Sequence, residues 1–576
     1  MEAFGHVFVV RGDLLSLACD AVVVPTAANG KLEAPWQEHL QQLDGIEIRD
    51  GRLRLEGVDE REPVTVLGPF KPSVSTPLPH ARQTWLVATG VLPAVNDVTP
   101  GDGRWNRAIA DLRRVLQQFS HEFKAHRKQR DEPLPTRGCS LVGVPLLGSA
   151  AGGFEHHFRQ YAADLLGMLR DIAHAGEFDV ALVIYGHGKR PAAAEALCRL
   201  ERRRLGAMPT EEVLAARWEL GDLAPTSKPA VEARDVGVGL RRLVDKARSG
   251  ELIPFFGAGV SRSAGAADWG ELIGTLEQQA GLSGLVSGSL DLLARAQIIE
   301  NSLGPEVLYD KIAELLGETP VALQHLLLAS LGARDAITTN FDDAYERAVE
   351  ASGRGTVAVV PRPGSNLRLL KLHGSLPRAP VARLSEDSRA EDRGESPPTA
   401  ASPPILTRDQ FLEHDRHNGP LRGALQMMLL TGHVMFIGYS LNDPDLHAAI
   451  HEVRRIRELA NIAKKEPLAT ALQVGTSREL GYLWSPVVSV LWPSTDEASG
   501  EVDGGIRPRE LEILLDVLAD AASQAELPVL AFRPNELTDP AEQDLREVLD
   551  TLTELFRGGK VPAPIAQLLQ TYGAPL

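Results

Sequence analysis

The 576-residue chain has few cysteines, no long apolar run and a deficit of positive charge. Its three cysteines, Cys19, Cys139 and Cys198, are scattered and show no Cys-x-x-Cys spacing. That pattern argues against a thiolate zinc site and favours a reducing compartment. No stretch of about 18 apolar residues occurs, so we expect no membrane-spanning helix. The start of the chain lacks the features of a secretory signal, and we therefore expect a cytoplasmic protein.

Acidic residues outnumber basic ones, 77 against 60, and the formal net charge is −17. Such a surface repels nucleic-acid phosphates, so direct nucleic-acid binding is not expected. The local exception is Arg202-Arg203-Arg204, with Arg199 one helical turn earlier. Because Glu201 interrupts this run, we interpret it as a solvated helix face.

The hydrophobic share of 43% and charged share of 24% are ordinary for a soluble globular protein. The length predicts two to four domains. Residues 1–205 alternate strand-like and helix-like segments, which predicts an α/β layered domain. A proline-containing stretch, 206–239, is interpreted as a linker. A second α/β unit follows at 240–500, with a polar, mobile insertion at 377–404, and residues 501–576 form a helical extension.

The second unit opens with a strand-like run that ends in Gly257-Ala258-Gly259. A turn of this kind can present backbone N–H groups to a pyrophosphate. It matches neither familiar phosphate template, however, because no Gly-Lys-Ser/Thr follows and the next glycine, Gly265, breaks the Gly-x-Gly-x-x-Gly spacing. From its own residues, the turn is either a phosphate cradle or a plain tight turn.

Three further apolar runs end in small or polar residues. They lead into Thr339-Asn340-Phe341-Asp342, into His373-Gly374, and into Gly438-Tyr439-Ser440. The carboxyl ends of parallel strands meet at one edge of a sheet, where ligands bind. Each segment also has a simpler interpretation: Asn340 or Ser440 as a helix cap, and His373 as a surface histidine.

In this order, "GAGVS", "TTNFD", "KLHGS" and "GYSLND" resemble the sirtuin fold family, and most closely the sirtuin-like NADase domains of bacterial antiphage defence proteins. The resemblance implies a Rossmann-like parallel sheet, with NAD as substrate. It implies that Asn340 orients the ribose and the attacking water, that Asp342 recognises the carboxamide and that His373 is the base. The implied NAD-binding residues are Gly257, Ala258, Gly259, Ser261, Thr339, Gly438 and Ser440.

The chain departs from the protein-deacylating sirtuins at several positions. Those enzymes carry a four-cysteine zinc ribbon, whereas residues 376–434 contain no cysteine. Thr339 replaces the usual glutamine before the asparagine, and Gly270 stands where an arginine is usual. The departures favour water as the acceptor, which gives ADP-ribose and nicotinamide, with no zinc or other metal required.

Residues 1–205 carry a second resemblance, to macro domains, which bind ADP-ribose. It rests on "VFVVRGDLLSLACDAVVVPTAANGKL" and "LVGVPLLGSAAGGFEHH". It implies that Asp13 meets adenine, that Asn29 meets the distal ribose and that Gly148, Gly152 and Gly153 hold phosphates. A glycine-rich loop usual after the asparagine is missing, so a scaffolding or partner-docking domain is the alternative.

Three hypotheses for the whole chain follow. The first is an NAD-hydrolysing effector of phage defence, regulated by the macro-like domain or by assembly. The second is a regulator that senses NAD or ADP-ribose without turnover. The third is a sirtuin-type deacylase or ADP-ribosyl transferase. The resemblance also implies a homo-oligomer or a partner defence protein.

Overall fold

The computed structural model forms two compact units. The first comprises Met1–Thr210, Ala351–Arg354 and Glu512–Leu576, and the second comprises Glu211–Glu350 and Gly355–Leu511. The structure describes residues 5–26, 34–44, 46–49, 52–55, 66–71, 81–88, 100–130, 137–147, 157–186, 189–220, 229–284, 290–316, 319–359, 367–376, 404–417, 419–460, 467–474, 478–485, 487–493, 508–523 and 540–555, together with 562, 565 and 569.

The first unit alternates strands and helices, as the sequence predicts. Its strands are β1 (Val7–Arg11), β2 (Cys19–Thr26), β3 (Ile46–Arg49), β4 (Arg52–Leu55), β5 (Val66–Phe70), β6 (Ala81–Ala88), β7 (Ser140–Pro145) and β8 (Phe178–Ile184). Its first helices are α1 (Ala34–Gln41), α2 (Gly103–Arg130), α3 (Phe158–Gly176) and α4 (Lys189–Arg204).

A six-stranded sheet with the order β1-β8-β7-β2-β6-β5 forms the centre of this unit. Its strands pair in parallel except β5, which is antiparallel to β6. α2 and α3 contribute most of the helical side of the core, where Trp85 makes edge contacts with Phe119 and Phe123. The three cysteines form no disulfide and are buried, and burial raises the pKa of Cys19 and Cys198 to about 12.

The second unit also alternates strands and helices. Its strands are β9 (Trp218–Leu220), β10 (Leu252–Phe256), β11 (Asp335–Thr338), β12 (Val357–Ala358), β13 (Leu367–Lys371), β14 (His433–Ile437), β15 (Ala469–Leu472) and β16 (Val488–Pro493). Its helices are α5 (Glu211–Ala215), α6 (Pro229–Arg248), α7 (Gly259–Arg262), α8 (Trp269–Gln279), α9 (Leu292–Leu303), α10 (Pro305–Leu316), α11 (Leu323–Ser330), α12 (Ala344–Ala351), α13 (Arg408–His417), α14 (Gly419–Thr431), α15 (Pro444–Leu459) and α16 (Arg478–Trp484).

These strands form an eight-stranded sheet with the order β12-β13-β11-β10-β14-β15-β16-β9. All neighbours are parallel except β9, which is antiparallel to β16. The central strands are buried along their whole length, as in a sheet covered by helices on both faces. α8, α9 and α10 form a smaller apolar cluster with Phe341 and Leu376, two residues that follow β11 and β13. This cluster lies beside the carboxyl edge of the sheet.

The predicted linker, 206–239, is instead largely ordered secondary structure. It contains α5, β9 and the start of α6. β9 extends the second sheet, and its Trp218 is 2% exposed. The prolines that suggest a linker lie in 221–228, outside the described residues, and at the first position of α6, where a proline removes no helical hydrogen bond. The predicted insertion, 377–404, lies outside the described residues except for Pro404.

The predicted helical extension contains two described helices, α17 (Pro508–Ser523) and α18 (Pro540–Leu555). From Glu512 onward this segment belongs to the first unit. Arg137 pairs with Glu512 at 2.8 Å, Arg202 with Asp516 at 2.6 Å and Arg203 with Asp520 at 2.8 Å.

The interpretation of the arginine run as a solvated face is wrong for two of its members. Arg199 is 0% exposed and Arg202 is 1% exposed. Arg199 donates to the Val9 carbonyl and Arg202 to the Val7 carbonyl, both at 2.8 Å. The acidic residues that neutralise Arg202 come from a helix more than 300 positions further along the chain, so local sequence could not reveal them.

Replacement of Asp516 by asparagine is expected to destabilise the first unit. Asp516 lies between Arg202 and His6, and its side chain is 0% exposed. Loss of its charge leaves a buried guanidinium undercompensated, which costs about 3 kcal/mol. Chemical unfolding of the full chain measures this cost. The control is Asp550→Asn, which breaks a half-exposed pair with Arg546 and costs less than about 1 kcal/mol. Equal losses in the two variants would contradict the proposed stabilising role of Asp516.

The Asp516 carboxylate also makes the stability of the first unit sensitive to acid. Burial would raise the pKa of Asp516, but Arg202 and His6 together outweigh burial. The pKa therefore falls from 3.8 to about 2. A carboxyl group whose pKa is lowered by folding stabilises the fold at pH values above its ordinary pKa. This contribution is lost as the pH falls from about 4 toward 2. The Asp516→Asn variant should lose less stability across that range than the wild type.

No helix in the described part of the chain is long and apolar enough to cross a bilayer.

Candidate functional site at the carboxyl edge of the second sheet

The glycine turn after β10 packs directly against the end of β14. The Gly257 N–H donates to the Ile437 carbonyl at 3.0 Å, and the Gly259 N–H donates to the Gly438 carbonyl at 2.9 Å. A Cβ on Gly259 would lie 2.7 Å from the Gly438 Cα, and Gly438 itself has φ +56°. Close backbone approach therefore requires small residues here. Because these two N–H groups are engaged with β14, the pyrophosphate role of the turn stays a prediction.

The side chain of Asn340, after β11, hydrogen-bonds to residues that follow the neighbouring strand β10. It follows β11, is 7% exposed, and its Nδ2 donates to the Gly257 carbonyl at 3.2 Å and to Ser261 Oγ at 3.4 Å. Its backbone N–H donates to Thr338 Oγ1, which in turn donates to the Phe256 carbonyl. The side chain does not act as a helix cap in these contacts. With its N–H groups directed at the glycine turn, its Oδ1 is the atom that can accept a hydrogen bond from a ligand or water.

Ser261 and Asp342 complete this cluster. Ser261 Oγ lies 3.3 Å from Asp342 Oδ2, and Asp342 Oδ1 accepts from the Ala344 N–H at the start of α12. The backbone of Asp342 is also held, since its carbonyl accepts from Lys371 Nζ at 2.5 Å. Lys371 pairs with the buried Glu346 at 2.7 Å. Asp342 is thus fixed from both its side chain and its main chain.

His373 follows β13 and pairs with a carboxylate. Its Nε2 lies 3.0 Å from Asp443 Oδ2, with side-chain exposures of 14% and 6%. The His373 ring makes an edge contact with Phe411, and its carbonyl accepts from the Ile405 N–H. Burial would raise the pKa of Asp443, but the neighbouring His373 imidazole and the Asp445 N–H, which donates to Oδ1, hold it below its ordinary value. The carboxylate thus lies directly beside the imidazole, and both side chains are largely buried.

The remaining residues predicted for NAD binding lie at the same edge of the sheet and are more exposed to solvent. Thr339 is half-buried between Thr338 and Asn340, and Ala258 is half-buried in the glycine turn. Ser440 is exposed. The cap of α15 is Asp443, whose carboxylate accepts from the Asp445 N–H at 2.9 Å, so Ser440 is not the cap.

Sequence reasoning missed two residues of the site. Asp443 lies in "LNDPD", a helix-start signal that also follows β14, and its place before Pro444 could have indicated a carboxylate at the sheet edge. His325 lies in α11, is 0% exposed and contacts Ser261 Oγ at 3.3 Å. Its apolar neighbours in "LQHLLLAS" offered no functional signal.

In the first unit, the structure describes only one of the predicted ligand residues. Asp13 follows β1, and its Oδ1 accepts from the Leu15 N–H at 3.0 Å in a short 3₁₀ turn, Leu14–Ser16. Burial raises the pKa of this carboxyl. Asn29, Gly148, Gly152 and Gly153 lie outside the described residues. The macro-like character of this unit and its ligand stay predictions.

Comparisons with known proteins identify one matching family and several similar proteins. Residues 334–473 match a family model described as a SIR2-like domain. Over 218 residues the chain is 28% identical to an NAD(+) hydrolase ThsA of Acinetobacter baumannii (strain 532279), covering 37% of this chain and 41% of that protein. It is 25% identical over 234 residues to an NAD(+) hydrolase ThsA of Enterococcus faecium, covering 38% and 43%.

The name of a third relative refers to defence. The chain is 24% identical over 230 residues to defense-associated sirtuin 2 of Bacillus subtilis, covering 38% of this chain and 21% of that protein. The chain thus spans less than half the length of each of these curated relatives. Residues 334–473 are thus similar to a SIR2-like domain, and part of the chain is similar to proteins named as NAD(+) hydrolases and as a defence-associated sirtuin.

Proposed function

We propose that the second unit hydrolyses NAD to ADP-ribose and nicotinamide, and that the protein is a regulated effector of antiphage defence. The observation that carries this proposal is the convergence of Asn340, Ser261 and Asp342 with a His373–Asp443 pair at one sheet edge. The likeness to proteins named NAD(+) hydrolase ThsA and defense-associated sirtuin 2 supports the same activity.

The reaction breaks the bond between C1′ of the ribose and N1 of nicotinamide. Its electron pair goes to the ring nitrogen, which is positively charged in NAD, so nicotinamide leaves as a neutral molecule. No general acid is needed for that departure. The ribose becomes oxocarbenium-like, and water adds at C1′ and loses a proton. The enzyme must position the ribose, hold the water and accept the proton.

Asn340 suits the positioning role. Its two contacts, Gly257 and Ser261, fix the amide plane, so Oδ1 has one direction in which to accept a hydrogen bond. A neutral amide holds a ribose hydroxyl or a water without adding charge to the site. Asp342, anchored by Ala344 and Lys371, supplies an acceptor for the carboxamide N–H₂ of nicotinamide.

His373 suits the role of base. A neutral imidazole accepts a proton at neutral pH, and the resulting imidazolium is stabilised by Asp443 at 3.0 Å. The pair resembles in chemistry other sites in which a buried carboxylate orients a catalytic histidine. The deacylase alternative is disfavoured because residues 376–434 contain no cysteine for a zinc ribbon.

We further propose that the first unit is macro-like and regulates the second through an ADP-ribose-type ligand. The support is the sequence resemblance and the position of Asp13 after β1, at the carboxyl edge of a mostly parallel sheet. Assembly as a homo-oligomer or with a partner defence protein, in the cytoplasm, belongs to the same proposal. A titration of ADP-ribose into the full chain tests the ligand.

Nicotinamide release by the purified full-length protein tests the activity. The assay supplies NAD alone, NAD with an acetyl-lysine peptide, and NAD with extracts of phage-infected cells to relieve a resting state. Release without peptide, from NAD alone or with extract, is expected. Release that requires the peptide would instead indicate a deacylase. NAD binding measured by calorimetry, with no release in any arm, would indicate a sensor without turnover.

A further inference from the structure

Segment 404–411, which leads into α13, contacts both the main chain and the ring of His373. The Ile405 N–H donates to the His373 carbonyl at 2.8 Å. The half-buried Phe411 makes an edge contact with the imidazole, with ring centroids 5.0 Å apart and an angle of 70° between the rings. The orientation of the imidazole therefore depends on what holds this segment in place.

One end of the Gln410 side chain holds the segment itself. Its Oε1 accepts from the backbone N–H groups of Leu406 at 2.9 Å and Thr407 at 3.2 Å. Thr407 Oγ1 accepts in return from the Gln410 N–H at 3.4 Å. These reciprocal bonds form a capping box at the start of α13. A capping role alone would need nothing more from this side chain.

The other end of the same amide reaches two further helices. Gln410 Nε2 donates to Glu300 Oε1 on α9 at 2.7 Å and to the Tyr309 hydroxyl oxygen on α10 at 3.0 Å. The Tyr309 hydroxyl in turn donates to the Pro404 carbonyl at 3.3 Å. Both acceptor positions and both N–H groups of the amide are thus used. Gln410 therefore joins segment 404–411 to α9 and α10 in one defined orientation.

Apolar packing brings the segment to this place without orienting it. Leu406 is 1% exposed and lies in the apolar cluster of α8, α9 and α10, which also contains Leu376. Apolar contact is non-directional, so it does not decide where the Ile405 N–H and the Phe411 ring face. The directional contacts of the segment with α9 and α10 at this point are those of the Gln410 amide and of Tyr309.

We propose that Gln410 is a positioning residue that holds segment 404–411 where it fixes the His373 imidazole beside Asp443. The inference rests on the proposed function, in which His373 is the base. Gln410 is not among the residues placed at the reacting atoms, and it acts through His373. The alternative is that Gln410 only caps α13.

Two substitutions separate the cap from the link to α9. Gln410→Met keeps the length of the side chain and removes all its hydrogen bonds. Gln410→Glu keeps an acceptor for the capping N–H groups, but it replaces the donor to Glu300 by a second carboxylate. We expect each variant to lose about tenfold to a hundredfold in kcat at pH 8, the range seen when a supporting partner is removed. KM should change by less than about threefold, because the lost contact does not bind substrate.

Exchange of the two side chains should restore the activity. In the Glu300→Gln, Gln410→Glu double variant the donor and the acceptor change places, and the number of charges is that of the wild type. We expect kcat to recover to within about threefold of the wild type, because the hydrogen bond forms again in the opposite direction. Wild-type kcat in a folded Gln410→Glu protein would overturn the proposal in favour of a cap alone. A loss that the exchange does not reverse would also overturn it.

A second cycle tests whether Gln410 acts through His373. In a His373→Ala background, with release followed from NAD labelled in its nicotinamide, Gln410→Met should cost less than about threefold more. A loss as large as in the wild-type background would overturn the proposal. Gln426→Met is the matched control, since Gln426 is another half-buried glutamine that joins two helices of this unit by bonding a glutamate, Glu452. It should keep wild-type kcat.

Thermal unfolding shows which variants are folded at the assay temperature, and the two glutamate variants decide the matter if Gln410→Met does not fold. Carbon-13 NMR of histidine-labelled full-length protein keeps the test independent of catalysis, with His373→Ala for assignment. The His373 Cε1 resonance should move in Gln410→Glu, return in the exchanged variant and stay in place in Gln426→Met. If the wild type releases no nicotinamide under any condition, the proposed activity fails, and this pattern still supports the positioning role. An unmoved resonance in Gln410→Glu overturns that role whatever the activity.

Discussion

Replacement of Asn340 by alanine is expected to lower nicotinamide release by about a thousandfold, the loss seen when a positioned polar group is removed from a reacting centre. Such a loss corresponds to about 4 kcal/mol of transition-state stabilisation. The physical reason is that Asn340 Oδ1 is the oriented acceptor of the site, held by the bonds of Nδ2 to Gly257 and Ser261. The measurement is kcat and KM with NAD, and the loss should fall on kcat.

The same variant removes a buried hydrogen bond, so its folding must be measured beside its activity. The Gly257 carbonyl loses a donor, which costs about 1–3 kcal/mol of stability. Thermal unfolding shows whether the variant is folded at the assay temperature. Asn301→Ala, at an exposed position of α9, is the matched control and should retain wild-type release. A folded Asn340→Ala protein that releases nicotinamide at a rate close to that of the wild type would show that Asn340 does not position the reaction.

The second large effect is expected at the histidine–carboxylate pair. His373→Ala should lower kcat by about a hundredfold to ten-thousandfold, the range for loss of a general base. Asp443→Asn should lower it by about tenfold to a hundredfold, since the ring remains but its orientation and the stabilising charge at 3.0 Å are lost. Release is measured for both single variants and for the double variant.

The double variant tests whether the two residues act together. If Asp443 works through His373, its replacement should cost little more once the ring is gone. Two independent losses that multiply would contradict the pairing. Asp310→Asn, an exposed carboxylate on α10, and His451→Ala, an exposed histidine on α15, are controls that should leave kcat near the wild-type value.

The contacts at Ser261 and the His373–Asp443 pair hold the candidate site from two sides. The first holds Ser261, Asn340 and Asp342 from the side of α11. The second holds the histidine from the start of α15.

The sequence by itself determined the α/β class, and it predicted that the candidate-site residues follow parallel strands at one edge of a sheet. Strand and helix periods are local properties, so β1, β2 and the helices of 1–205 could be predicted from neighbouring residues. Parallel strands bring their carboxyl ends to one edge, and this placed Gly257, Asn340, His373 and Gly438 together before any side-chain contact was known.

Only the tertiary structure decided which side chains meet. β13 and β14 are separated by β11 and β10 in the sheet, about 14 Å at the usual strand spacing, so the His373–Asp443 contact depends on loops folding over the strand ends. His325 is hidden in an apolar helix, and Arg202 is neutralised by Asp516 from a distant helix. Such contacts depend on packing between elements far apart in sequence, whereas residue patterns report only the local period and the end of each element.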